Sequence, residues 1–211
     1  MRRIGILLSG CGLHDGSDVQ ETVLVVLAAR RRGFRPIYFA PDVEQRTVVD
    51  HTSGTIDADA APRRVLAETA RVARGVVQTV GEMRPSDLDA LVIPGGAGAV
   101  DNLCDPGDRP LGGGPLRAEV AALLDELATR RAPVGAIGLA RVVVARHRDE
   151  PLDDAPVSIP AGEVVVDEAG RFVFTPGFMG SDDLLQVTEG IDRMIEALAR
   201  MLAPVGETGR R

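Results

Sequence analysis

The sequence predicts an α/β protein built on a doubly wound, mostly parallel sheet with helices on both faces. Three observations carry this. Short apolar runs of strand length alternate with amphipathic stretches of helix length along the chain. The runs at 4–9, 88–94 and 134–137 lack polar alternation, as strands covered on both faces do. A glycine-bearing turn follows each of them, and in a parallel sheet the carboxyl ends of the strands are where ligands bind.

The elements follow in order. Residues 4–9 form the first strand, and Gly10, Gly12 and Gly16 mark the loop after it. Asp18 is placed to cap the next helix, with Glu21 three residues on as in a capping box, and Gly33 closes it. Val19, Val23, Val26 and Leu27 share one face of that helix and are expected to pack inward. Residues 36–40 read as the second strand, and the polar, turn-rich stretch 42–61 as a small excursion. A helix is expected over 63–73, ending at Gly75, then a core strand over 88–94 that runs into Gly95 and Gly96. The helix over 116–131 carries its apolar stripe on Val120, Leu123, Leu124 and Leu127. Residues 134–137 form a strand that turns sharply at Gly138 into a helix beginning at Leu139. Residues 164–166 and 172–175 read as a small β-hairpin near the C-terminus, and 182–202 as the last helix. The expected organisation is one domain over 1–203 with a flexible tail at 204–211.

Composition bounds the function. A chain of 211 residues buries roughly 70% of its unfolded surface, so no disulfide or metal is needed to hold a core. A hydrophobic content of 45% with 26% charged residues is ordinary for a soluble globular protein. The net charge of −7 argues against nucleic acid and against anionic membranes as partners. No apolar run is long enough to span a bilayer, and Met1-Arg2-Arg3 leads directly into a core strand rather than a signal peptide. Cys11 and Cys104 form no CxxC pair, which fits free thiols in a reducing compartment, and a cytoplasmic location is expected. No set of His, Cys and carboxylates has zinc spacing, so no metal is expected.

The site candidates come from the strand-end loops. A strand turning sharply into a helix makes an elbow that holds one residue out over the sheet, with backbone N–H groups beside it. The residue at that tip is Gly138, which offers no nucleophile and leaves extra room in a pocket. The N–H groups of Gly138 and Leu139, with Gly95 and Gly96, are candidate oxyanion donors, although a tight turn alone would also use these glycines. Glu21 is either a helix-start carboxylate favoured by the dipole or an acid–base group facing the cleft, and both readings can hold. Cys11, His14 and Asp15 stand close to it in sequence as candidate nucleophile, base and orienter, against the plainer reading of a small residue and an exposed histidine in a tight loop. Asn102 is grouped with the substrate-binding residues, Cys104 falls near the site rim, and His51 and His147 read as a surface contact and a helix-end cap. Gly10, Gly12 and Gly16, with Asp42 after the second strand, leave a nicotinamide-dinucleotide fold as a minor alternative whose glycine spacing is off by one.

The chain also resembles a known family. The runs Ile6 to Gly12, Asp15-Gly16-Ser17, Glu21-Thr22-Val23, Phe39 to Asp42, Ala70 to Gly75, Leu88 to Ala99, Val164 to Glu168, Thr175-Pro176 and Gly190-Ile191-Asp192 occur in the order of the ThiJ/PfpI superfamily (class I glutamine amidotransferase-like fold), and within it of the ElbB-like glyoxalase branch. The resemblance implies a flavodoxin-like sheet, often dimeric, with a Cys on the elbow and a Glu hydrogen-bonded to it, acting on small carbonyl compounds without a cofactor. The Glu maps onto Glu21 and the Cys onto Gly138. Between Arg146 and Pro160 the chain is shorter than the family pattern, and it has His14 where the branch more often has an aromatic residue. The expectation is a cofactor-free enzyme of lyase, hydratase or isomerase type. It would use Glu21, with His14, Asp15 or Cys11, on a small-molecule carbonyl metabolite, and work as a homodimer. The alternative is a non-catalytic binder or regulatory protein derived from a glyoxalase.

Overall fold

The computed structural model describes residues 1–105, 114–151 and 159–203. The tail expected at 204–211 and residues 152–158 of the short stretch before Pro160 lie outside these residues. Among the described residues the central sheet has seven strands. In chain order these are β1 (Arg3–Leu7), β2 (Arg35–Ala40), β5 (Gln78–Thr79), β6 (Ala90–Ile93), β7 (Val134–Ile137), β8 (Val165–Asp167) and β9 (Phe172–Thr175). The short strands β3 (Val49–Asp50) and β4 (Thr55–Ile56) pair with each other as a separate antiparallel ribbon inside the 42–61 excursion.

The sheet order is β5-β2-β1-β6-β7-β9-β8. All its pairings are parallel except β8 against β9. The chain therefore winds outward from β1 in both directions, and the switch of direction lies between β1 and β6. The expected C-terminal hairpin forms as β8–β9, but β9 also continues the parallel sheet beside β7. Its carboxyl end consequently joins those of β1, β6 and β7.

Helices α1 (Val19–Arg31), α2 (Val65–Val72), α3 (Gly98–Asp101), α4 (Ala118–Thr129), α5 (Arg141–His147) and α6 (Leu184–Met201) accompany the strands. On one face Val25, Ala28 and Ala29 of α1 pack with Val187, Ile191, Met194 and Leu198 of α6 against Ile4, Ile6 and Val92. On the other, the predicted stripe Val120, Leu123, Leu124 and Leu127 of α4 packs with Val143 and Val144 of α5 against Leu7, Leu91 and Ile93. This is the flavodoxin-like α/β arrangement.

The phase of α1 differs from the sequence expectation. Its inward face carries Glu21, Thr22, Val25, Ala28 and Ala29, while Val19, Val23 and Leu27 face solvent. Alanines fit the close approach of α1 to α6 and the sheet, and the cap at Asp18 turns Glu21 inward, so the larger valines fall outside. Gly33 (φ +76°) ends the helix as expected, with Phe34 N–H donating to Ala29 O and Gly33 N–H to Arg30 O.

Candidate functional site

A cleft of about 290 Å³ opens where the ends of β1, β6, β7 and β9 converge. Glu21, Gly95, Gly96, Gly138 and Leu139 line it, as the sequence predicts for a strand-end site. Phe178, Met179 and Asp182, from the segment after β9, close its other side.

Glu21 is the best-defined group in the cleft. The Asp18 carboxylate caps α1 by accepting from Glu21 N–H at 2.9 Å. The reciprocal half of the expected capping box does not form. Instead Glu21 Oε2 accepts from Gly95 N–H at 2.8 Å and Oε1 from Phe178 N–H at 3.1 Å. The residue is 3% exposed. Burial, followed by the negative charge of Asp18, pushes its carboxyl from an ordinary 4.5 up to about 7, against the opposing pull of the two N–H bonds. Such a group exchanges its proton near neutrality, as a general acid or base must.

Glycine is what lets this carboxylate fit. A Cβ on Gly95 would stand 2.6 Å from Glu21 Oε2. One on Gly177 would stand 2.2 Å from Oε1 and 2.5 Å from Ile137 Cγ2, at a φ of +59° that side chains rarely adopt. The Gly95 N–H, expected to serve an oxyanion, is thus engaged by Glu21.

The elbow forms where it was expected. Gly138 has φ +51° and opens the single 3-10 turn Gly138–Ala140 that leads into α5. The N–H groups of Gly138 and Leu139 have no acceptor among the described residues. The extra room expected from glycine is not there. A Cβ on Gly138 would meet Met179 Sδ at 3.3 Å and Pro176 O at 3.3 Å, so Met179 already packs against the elbow.

Cys11, His14, Asp15 and Asn102 do not line this cleft. Gly12 (φ +138°) lets the loop turn back on itself, with Gly16 N–H donating to Gly12 O at 2.8 Å. That turn sends the buried Asp15 away from Glu21. Its Oδ2 accepts from Val49 N–H at 3.0 Å, tying the β3–β4 excursion to the sheet end, and its Oδ1 lies 3.5 Å from His51 Nε2. The exposed His14 stacks near His51, with ring centroids 5.3 Å apart, and its N–H donates to His51 Nε2. Cys11 is half-buried, and burial raises its thiol pKa, which disfavours the thiolate. Asn102 uses its whole amide on the backbone. Nδ2 donates to Ser9 O and Asp15 O at 2.8 and 2.9 Å, and Oδ1 accepts from Arg46 N–H at 3.0 Å. Cys104 is fully buried in a bridge to Leu116.

The glycines of the first loop have a packing explanation. A Cβ on Gly16 would stand 2.3 Å from Cys11 N, and one on Gly98 2.5 Å from Gly16 Cα. The loops after β1 and β6 meet backbone to backbone, held by Gly98 N–H to Gly16 O and Asp18 N–H to Gly95 O. Sequence reasoning missed Gly177, Phe178 and Met179. The Pro176-Gly177 pair was a turn signal, but it followed a strand read only as half of a hairpin.

Comparison with known proteins places this geometry. No family model matches the chain. It is 30% identical to the rat protein named "ES1 protein homolog, mitochondrial" over 228 residues, covering 94% of this chain and 84% of that protein. It is 31% identical to the human "glutamine amidotransferase-like class 1 domain-containing protein 3, mitochondrial", covering 94% and 83%. A crystal structure from Ehrlichia chaffeensis, described as an isoprenoid biosynthesis protein with an amidotransferase-like domain, matches at TM-score 0.87 and 30% identity, covering 96% of this chain and all of that one. A DJ-1 superfamily protein from Agrobacterium tumefaciens shares the fold at TM-score 0.53 and 20% identity. The relatives overturn the cytoplasmic placement, since both curated proteins are mitochondrial by name. Unpaired cysteines do not name a compartment.

Proposed function

We propose a function that starts from family membership: the chain belongs to the ES1 family of glutamine amidotransferase-like class 1 proteins, in the ThiJ/PfpI and DJ-1 superfamily, and it acts without a cofactor on a small neutral carbonyl metabolite through Glu21. The observation that carries this is a carboxyl held near pH 7, pointed into a strand-end cleft by two backbone donors.

The chemistry is proton transfer beside a carbonyl. Ionised Glu21 takes a proton from the carbon next to the carbonyl; the C–H electron pair becomes the C=C bond of an enolate, and the carbonyl π pair moves onto the oxygen. The free N–H groups of Gly138 and Leu139 hold that oxygen as its charge develops. Protonated Glu21 then returns the proton to the same carbon, or to the former carbonyl carbon as the proton of an adjacent hydroxyl passes to the enolate oxygen, or to a group that leaves from the carbon β to the carbonyl as the carbonyl re-forms. These are isomerase- and lyase-type outcomes. The resemblance to the ElbB-like glyoxalase branch supports the substrate class, and Gly138 removes the thiol route from this chain.

Charge supports a neutral substrate. Asp18, Glu21 and Asp182 line the cleft, and no arginine or histidine does among the described residues, so an anionic substrate is repelled. A homodimer belongs to the same reading, and the exposed Val19, Val23 and Leu27 of α1 support an apolar contact. The second reading is a non-catalytic binder, favoured by Met179 packed against a nucleophile-free elbow.

Hydrogen–deuterium exchange tests the two. The natural chain and Glu21→Gln are incubated in D2O with neutral 2-oxoaldehydes and hydroxyketones and followed by proton NMR. Exchange or turnover by the natural chain that Glu21→Gln lacks is the expected result. No exchange with any compound, alongside saturable binding, establishes the binder instead.

A further inference from the structure

A second cavity, of about 500 Å³, lies at the opposite end of the sheet, against the outer edge of β2. Strand β5 pairs with β2 only at Phe39 and Ala40, so the edge of residues 35–38 carries no further strand. Arg30 from the last turn of α1, Arg35 from the start of β2 and Arg74 from the end of α2 converge on this cavity. Its floor is Pro36, Ile37 and Tyr38, and Val76 stands at its mouth, 85% exposed.

The charge here is uncompensated. Most arginines of α1 and α2 have carboxylate partners: Arg31 and Arg32 reach Asp192, and Arg71 reaches Glu68. Arg30, Arg35 and Arg74 have no carboxylate within ion-pair reach among the described residues, and no acidic residue lines the cavity. This happens in a chain of net charge −7, where acids outnumber bases 31 to 24. Complementing the helix dipole does not explain Arg30, because Arg31 and Arg32 already occupy the same helix end. Arg74 sits at φ +62°, a left-handed position that glycine would take without strain, and Gly75 follows it directly.

We infer that this groove binds a small organic phosphate, its phosphoryl group held by Arg30, Arg35 and Arg74 and its apolar part lying on Tyr38, Ile37 and Val76. Guanidinium groups match phosphate oxygens in charge and geometry. An added peptide strand fits less well, because Pro36 offers no N–H to a neighbouring strand. The inference stands apart from the Glu21 chemistry, being drawn from the other end of the sheet.

The groove carries its own probe. Tyr38 is the single tyrosine of a chain without tryptophan, so tyrosine emission reports this cavity. Arg30 already bears on the half-buried Tyr38 phenol electrostatically. The full chain is titrated with inorganic pyrophosphate and with monobutyl phosphate at low salt, by Tyr38 emission and by calorimetry. Both are expected to bind saturably. Arg35→Ala with Arg74→Ala, two exposed side chains without an ion-pair partner among the described residues, should weaken binding by about tenfold or more. Glu21→Gln should leave it unchanged, and Tyr38→Phe should lose the emission signal while keeping the heat of binding. No saturable change up to about 10 mM overturns the inference. An affinity equal in the double arginine variant overturns it, and so does binding confined to anionic phospholipid vesicles.

Discussion

Asp15 and Glu21 are both carboxylates, both nearly buried, and six positions apart on the segment that follows β1. Their surroundings differ in one respect that decides what each can do. Glu21 is held by two backbone donors from two other strand ends, Gly95 and Phe178, and faces a cleft. Asp15 accepts from Val49 N–H, faces His51, and lines no part of that cleft. One carboxylate is aimed at a ligand; the other fastens an excursion of the chain. Closeness in sequence made them one constellation, and the turn at Gly12 and Gly16 separates them.

The sharpest way to break this contrast is to compare Glu21→Gln with Asp15→Ala in the same turnover assay. Glu21→Gln should lower the rate by about 100-fold or more, the contribution of a general acid–base group. Asp15→Ala should leave the rate within about twofold, and an equal loss in both would merge the two regions again.

Stability against pH gives the next largest effect. Glu21 holds its proton up to about 7 in the fold, against an ordinary 4.5. The folded chain therefore binds more protons than the unfolded one between those values, and its contribution to stability falls as pH rises through that window. The loss is about 3 kcal/mol, complete above neutrality. Urea unfolding of the natural chain and Glu21→Gln at stepped pH should show a difference curve with this slope, and a flat one would place Glu21 in a wetter setting.

Gly177→Ala follows, with a loss of about 2–3 kcal/mol from the collision with Glu21 and the left-handed backbone. Part of that loss should disappear in the Glu21→Ala background, where Ile137 Cγ2 is the one left of the three nearest atoms. Additive losses in this double-mutant cycle would mean that the carboxylate does not constrain Gly177. The smallest effect belongs to the Asp15 side. Asp15→Ala strands the Val49 N–H and should cost about 1–2 kcal/mol in thermal unfolding. His51→Ala, on a half-exposed side chain, should cost about 0.5 kcal/mol.

Much of this was legible in the sequence. Buried strands without polar alternation gave β1, β6 and β7, and the leucines of α4 faced the core as their spacing required. The elbow at Gly138 and the inward Glu21 were legible because a strand-to-helix turn and a helix start each have local signatures. The phase of α1 was not, because valine is more apolar than alanine, whereas α6 and the sheet selected for small size. Nor was the Gly177–Met179 wall, since its role depends on β9 lying beside β7, a pairing between segments far apart in the chain. Asn102 looked like a ligand group because an amide is versatile, and only the fold shows both of its Nδ2 hydrogens taken by carbonyls.

That amide has a further consequence. Ser9 and Asp15 lie on the loop after β1 and Arg46 in the 42–61 excursion, and the Asn102 side chain joins these two stretches to its own. The alignment of these loops therefore depends on chemistry as small as one NH2 group. Asn102→Asp would put an oxygen where that donor faces two carbonyls, in a side chain of the same shape. The Ser9 and Asp15 carbonyls would lose their shared donor, while Oδ1 would still accept the Arg46 N–H. For this chain, the exchange of one NH2 group for one oxygen at a single buried position would loosen the first strand-end loop.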